Sequence, residues 1–226
     1  MLLELFFPIE CQACGEPGLL LCGHCTDQCL IMPILTFPAC NKPSPVGATH
    51  PRCLRPWLID GIFAASDFRD PIVKKIIKNL KYKNAKICAQ PLGNLMSRKI
   101  SGNFSALLSN NNFALSPVPL HPSRLKQRGF NQSQAIAEVL SSNLSLGISN
   151  VLTRLRPTRD QTKLDKVSRQ TNIEDAFALS PDVNVKDLNF IIVDDVCTTG
   201  ATLKECAKVL KRNGANMVWG AVAAKE

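Results

Sequence analysis

The feature that most constrains this chain is the run F-I-I-V-D-D-V-C-T-T-G-A-T from Phe190 to Thr202. The apolar stretch Phe190 to Val193 reads as a strand buried on both faces, the habit of a parallel sheet covered by helices. Ligands of such sheets bind beyond the C-terminal ends of the strands, where Asp194 and Asp195 stand. Two adjacent carboxylates are costly to bury but suited to accept hydrogen bonds from two neighbouring sugar hydroxyls and to hold Mg2+ through water. The residues after them, Cys197, Thr198, Thr199, Gly200, Ala201 and Thr202, are small or hydroxylated. Their backbone N–H groups can close on a phosphate at the start of the following helix. A plain strand-to-helix turn would share the acid pair; the full order of strand, acid pair, loop and helix favours a phosphate cradle.

Around this run the chain alternates helix and strand signals, as a parallel sheet with crossover helices does. Asp70-Pro71 reads as a helix start. Val73, Ile76, Ile77 and Leu80 then recur on one face and leave Lys74, Lys78 and Lys81 on the opposite one. Phe113 to Ser116 and Val151 to Leu155 read as short strands, and Asn131 caps a helix whose Ile136, Val139, Leu140 and Leu144 share a face. Helix Thr202 to Arg212, with Leu203, Cys206, Ala207 and Leu210 inward and Gly214 as its cap, leads to a closing strand Met217 to Ala223. The expected class is α/β, a parallel sheet flanked by helices, over residues 61–226. Seven of the ten cysteines fall before this patterning begins, within the first 53 residues. Residues 1–60 are therefore expected to form a separate small module.

No apolar run approaches the roughly 18 residues that span a bilayer. The opening MLLELFFPIE carries Glu4 inside its apolar stretch and lacks a basic flank, so it reads as a packed or docking segment and not as a secretion signal. In that setting clustered cysteines argue for metal before disulfides. Cys11-Gln-Ala-Cys14 and Cys22-Gly-His-Cys25 are two knuckles that together offer four thiolates to a structural Zn2+. So small a module has little core of its own, and the ion would serve as one. His24 is expected to face solvent. Cys40, His50 and Cys53, with Cys29 as a fourth, could supply a second site, the alternative being a decayed ribbon. Cys88 and Cys206 are expected in the core, as is Cys197, packed beneath the phosphate loop.

The net charge of +9 favours phosphate-rich partners. Arg124, Lys126 and Arg128 lie in the segment Ser116 to Gln132, which follows a strand and so belongs on the ligand rim, where their charge density suits a pyrophosphate. Here Gly129 is expected to relieve a tight backbone and Phe130 to pack. Between Arg156 and Asn172 runs a charged stretch without apolar period, carrying Arg159, Lys163, Lys166 and Arg169 just after Arg154; stretches of this length serve as lids, binding loops or linkers. With one Tyr and two Trp in the chain, stacking platforms are few, and phosphate contacts would dominate any nucleic-acid binding. Trp57 and Tyr82 are the candidates for stacking.

The Phe190–Thr202 segment resembles the signature of type I phosphoribosyltransferases. That resemblance implies that Asp194 and Asp195 bind the ribose of phosphoribosyl pyrophosphate, that Cys197 to Thr202 bind its 5′-phosphate, and that a flexible hood over Leu152 to Asn172 closes on it. Relatives acting on 6-oxopurines carry an aspartate, their proposed general base, where this chain has Thr198. A threonine cannot serve as that base at neutral pH, so the resemblance does not extend to that branch. P-V-P-L-H-P-S-R-L-K-Q-R-G-F-N-Q, then N-I-E-D-A-F, then V-D-D-V-C-T-T-G-A-T, preceded by the Cys-x-x-Cys knuckles, is similar over nearly the whole chain to the ComF family of bacterial competence proteins. This implies a cytoplasmic role in natural transformation with handling of single-stranded DNA, and a zinc ribbon before the phosphoribosyltransferase-type domain. It leaves open whether the chain catalyses a reaction; an active phosphoribosyltransferase of nucleotide salvage, with no identifiable acceptor residues, is the alternative.

Overall fold

In the computed structural model the described residues are 9–29, 35–36, 40, 42–44, 47–82, 85–109, 111–157 and 173–226. The centre is a four-stranded sheet made of β3 (Gly61–Asp67), β4 (Phe113–Pro117), β7 (Asn189–Cys197) and β8 (Val218–Lys225). Its order is β3-β8-β7-β4, and every pair in it is parallel. Alternation along the strands sorts their side chains into two cores. Phe63, Ala65, Ile191, Val193 and Ala221 meet helices α2 (Pro71–Tyr82), α3 (Ala89–Ser109) and α5 (Gln132–Leu144) on one face. Ile62, Ala64, Phe190, Ile192 and Val222 meet α6 (Ala201–Arg212) and the antiparallel pair β5 (Leu152–Arg154) and β6 (Phe177–Leu179) on the other. Burial on both faces explains why β7 reads as a continuous apolar run.

Local signals act as their chemistry dictates. Asp70 caps α2 by accepting from the N–H groups of Ile72 and Val73 at 2.8 and 2.9 Å, and Val73, Ile76, Ile77 and Leu80 are buried. Asn131 caps α5 through Ser133 N at 3.0 Å and donates through Nδ2 to Val118 O at 3.0 Å, which pins the preceding loop to the end of β4. Among the larger elements, β3 and the 21-residue α3 carry no sequence-based expectation. The segment Ser116 to Gln132 is not all loop: it contains α4 (Pro122–Arg128), with His121 as N-cap and Gly129 at φ +78 closing it. That left-handed position suits a residue without Cβ, and Phe130 packs partly buried against the core.

The cysteine-rich part folds against the larger one. α1 (Gly23–Cys29) follows the knuckles, and Cys11, Cys25 and Cys29 join the core that α2 and α3 cover. Arg98 of α3 pairs with Asp27 at 3.0 Å. A two-residue antiparallel pair, β1 (Leu35–Thr36) with β2 (Pro43–Ser44), comes next. Residues 47–60 are then stitched to the edge of the sheet: Ile62 N donates to Gly47 O at 2.9 Å, Thr49 N to Asp60 O at 2.7 Å, and Asp60 N to Val218 O at 2.8 Å. Hydrogen bonds thus cross the boundary expected near residue 60. Among the described residues no helix is long and apolar enough to cross a membrane.

Candidate functional site

The chain leaves β4 toward helices on one face of the sheet and leaves β7 toward α6 on the other. Where neighbouring strands send their connections to opposite faces, a crevice opens at the strand ends. Asp194 and Asp195 line it, and β7 continues past them to Cys197, so the acid pair sits within the strand and not beyond its end. Both carboxylates are buried, at 9% and 3% exposure. Asp194 Oδ1 accepts from Ser133 Oγ and from Asp195 N, each at 2.9 Å. Burial, reinforced by the charge of Asp195, pushes the Asp194 carboxyl up to about 7, against the pull of Lys81 and these two donors.

Four cations face the pair: Lys81, Arg124, Arg128 and Arg154. Lys81 Nζ lies 2.8 Å from Asp195 Oδ2. Burial works against its ammonium, but Asp195 outweighs that and holds Lys81 above the usual lysine range. This corrects the expectation of a lysine opposite the apolar face. Lys81 follows Ile77 by four residues, hence it lies on the buried stripe, and that spacing was the available signal. Arg154 is 8% exposed, with its guanidinium 5.2 Å from the Phe177 ring centroid. It shares a strand face with buried Leu152 two residues earlier, which places it at the floor of the crevice instead of in the charged stretch that follows. Arg124 and Arg128 reach the crevice because they are four apart on α4, and Arg128 Nη1 donates to Gln132 Oε1 at 2.7 Å. Lys126, between them, points away and is exposed.

The loop toward α6 places Cys197 at 3% exposure, where burial raises its thiol to about 11 and leaves it a packing residue. Gly200, at φ +73, forms the N-cap of α6, and Ala201 N donates to Thr199 Oγ1 at 3.3 Å. Thr202 lines the crevice, and Thr198 and Thr199 are half-buried. Arg159 and Arg169 lie outside the described residues, as do Lys163 and Lys166; β5 and β6 flank that stretch. A cavity of about 560 Å3 between the start of α3 and α5 lies away from the acid pair and gathers only Lys86 and Glu138 as charges.

The sulfurs of Cys11, Cys14, Cys22 and Cys25 all lie within 4.8 Å of one another. Tetrahedral zinc with bonds of about 2.3 Å sets its sulfurs ~3.8 Å apart, and Cys14 and Cys22 stand 3.7 Å apart. Burial raises the Cys11 thiol, but N–H groups from Cys14, Cys22 and Ala13 outweigh it and bring it down to about 6, toward the thiolate that a metal needs. This donor set fits a metal ion. A second group joins Cys40, His50 and Cys53. His50 Nε2 bonds Pro43 O at 2.8 Å, which fixes Nε2 as the donor and turns the lone pair of Nδ1 toward Cys40 Sγ at 3.2 Å. Cys29 is not its fourth member: it is buried beside Asp70, in the core near Cys11. His24 is exposed and meets Gln28. Cys88 and Cys206 are core residues.

Residues 127–225 match the family model described as phosphoribosyl transferase domain. DNA utilization protein YhgH of Salmonella typhimurium is 31% identical over 233 residues, covering 95% of this chain and 96% of that one. Competence protein F of Haemophilus influenzae is 36% identical over 111 residues, about half of each chain (47% and 48%). Competence protein ComFC of Bacillus subtilis is 26% identical over 207 residues, 88% of this chain and 81% of that one.

Proposed function

Because the chain belongs to the ComF family of competence proteins, with a phosphoribosyltransferase-like domain, we propose that it binds phosphoribosyl pyrophosphate in the β7–β4 crevice and handles single-stranded DNA in the cytoplasm during DNA uptake. The observation that carries the first half is the crevice itself, where two buried carboxylates face four cations at the mouth of a glycine-capped loop. Asp194 and Asp195 accept the two ribose hydroxyls, and Cys197 to Thr202 enclose the 5′-phosphate. Arg124 and Arg128 take the diphosphate, Arg159 and Arg169 add positive charge around it or along a DNA strand, and Lys126, pointing away, meets only a DNA strand. Mg2+ keeps several waters and binds through one or two carboxylates plus substrate phosphates; the acid pair is such a donor set, and the ion would neutralise the diphosphate. In this reading residues 1–60 form a zinc ribbon on Cys11, Cys14, Cys22 and Cys25, and residues 61–226 form the ligand-binding domain.

The DNA half rests on the names of the relatives and on the net charge of +9. The same cations would also stabilise a departing pyrophosphate, so phosphoribosyl transfer to an acceptor base is the second reading. Calorimetric titration of phosphoribosyl pyrophosphate with Mg2+ into wild type and into the double variant Asp194→Ala, Asp195→Ala tests the site. Loss of about a hundredfold or more in affinity is expected, since two hydrogen-bonded charged groups are removed; equal affinity refutes it. Pyrophosphate release during a nucleobase screen separates binding from turnover.

A further inference from the structure

The crevice leaves unexplained a second group of side chains, on the turn that follows the Cys40–His50–Cys53 cluster. From Gln28 to Ile59 the chain has no acidic residue. Lys42, Arg52, Leu54, Arg55 and Trp57 are all exposed, Trp57 at 50% and Leu54 at 45%. An indole this exposed is unusual, because large aromatics are among the side chains that folding buries most. It is also held in place. Leu58 N donates to Arg55 O at 2.9 Å, closing a turn with Pro56 and Trp57 at its tip, and Arg55 Nη1 donates to Leu54 O at 2.8 Å.

Both ends of the turn are anchored. Before it, Cys53 N bonds His50 O at 2.8 Å and Cys53 Sγ joins the cluster with Cys40 and His50. After it, Ile59 is fully buried, and its carbonyl accepts from Thr49 Oγ1 at 2.6 Å. Lys42 stands two residues after Cys40 and Arg55 two after Cys53, so the cluster that joins Cys40 to Cys53 brings both cations to the same part of the surface. An exposed aromatic face on an anchored turn, with Arg52 and Arg55 beside it in sequence and Asp60, the next carboxylate, paired with Lys211 at 2.7 Å, suits an unstructured polyanion with flat bases. Bases stack on the ring whatever their sequence, and the cations meet phosphates.

We propose that the turn Arg52–Trp57 is a contact site for single-stranded nucleic acid, with Trp57 as the stacking platform and Lys42, Arg52 and Arg55 as phosphate contacts. The proposal rests on the DNA-handling half of the function above and gives that activity a place apart from the crevice. An acidic protein would meet the same cations without stacking flat bases on the ring, and the experiment makes it the other outcome.

The probe is a fluorescein-labelled oligothymidylate, followed by anisotropy over a salt series, together with intrinsic tryptophan emission. The chain has two tryptophans, and Trp219 packs edge-on against Phe104 with centroids 5.3 Å apart, so Trp57 is the exposed reporter. The expected result is quenching that disappears in Trp57→Phe and an affinity loss of roughly 5- to 150-fold in Trp57→Ala. Arg52→Glu with Arg55→Glu should lower the log–log salt slope by about 1.4, the share of two single-strand phosphates. Binding of phosphoribosyl pyrophosphate should be unchanged in all three variants, which certifies their fold. Wild-type binding to the oligonucleotide with equal affinity and equal salt slope in the variants overturns the assignment alone. Absence of wild-type binding at low salt overturns the DNA-handling reading along with it and leaves an acidic protein as the occupant to seek.

Discussion

The knuckle module and the ligand crevice are built on opposite principles. The four sulfurs of the knuckles come from 15 residues of chain, Cys11 to Cys25, and two short spacings place them within 4.8 Å of one another. The crevice gathers Lys81 from α2, Arg124 and Arg128 from α4, Arg154 from β5, and Asp194 and Asp195 from β7. Those elements are spread over more than a hundred residues of chain and meet only in the folded core. The first site is a local structure whose donor set fits an ion; the second is a product of topology and needs the whole core. The difference teaches where each is vulnerable: one to chelation, the other to charge imbalance.

Chelation should break the contrast most severely. In the zinc-ribbon reading, chelation withdraws on the order of 10 kcal/mol of metal-coupled folding free energy from the knuckle module. Hydrogen exchange across residues 11–29 is expected to approach unprotected rates while β7 amides stay protected. Equal loss of protection in β7 at the same chelator concentration would show that the two regions do not fold by separate principles.

Next in size is Lys81→Met. Removing one partner of a buried ion pair leaves the other charge uncompensated and costs about 3 kcal/mol, with Asp195 only 3% exposed. Urea unfolding at pH 7 measures it, and addition of Asp195→Asn should recover most of the loss. A Lys81→Met protein as stable as wild type would mean that the pair is not buried in solution.

The Asp194 carboxyl, raised to about 7 by burial and the charge of Asp195, makes a smaller prediction with a definite sign. The folded protein retains a proton that the unfolded chain releases between about pH 4 and 7, so this group favours folding on the acid side and loses that contribution as pH rises through about 7. Stability should drop by about 1 kcal/mol from pH 6 to pH 8, and Asp194→Asn should remove the difference. A flat profile in wild type contradicts the burial. Smallest of all, Lys126→Ala should leave phosphoribosyl pyrophosphate affinity within error, whereas Arg128→Ala should weaken it about tenfold, because only Arg128 lines the crevice.

How much could be read from the residues follows the same division. The knuckles, the Asp70 and Asn131 caps, the buried stripes of α2 and α6 and the acid pair on its strand are set by neighbours in sequence, and spacing reveals them. α3 escaped because Gly93, Asn94, Gly102 and a scatter of serines blur its apolar stripe. Gly93 has its reason only in three dimensions: a Cβ there would stand 2.5 Å from Val139 Cβ, so the glycine lets α3 and α5 approach. Likewise β3 is made of small residues, and Gly61 makes room for the Trp219 ring, 2.3 Å from where its Cβ would be. Lys81 was legible through its spacing from Ile77, but solvent-facing Lys74 and Lys78 suggested the wrong company for it.

The sequence by itself determined the class of the fold, the thiolates that fit a metal and the strand and loop on which the acid pair sits, because each depends on the chemistry of residues a few positions apart. Only the tertiary structure decided which cations face that pair, that Lys81 belongs there and Lys126 does not, and that Cys29 joins the core instead of His50. The sheet brings together side chains more than a hundred residues apart, and burial then raises the Asp194 carboxyl above its usual range. Neither distance nor desolvation is written in local spacing.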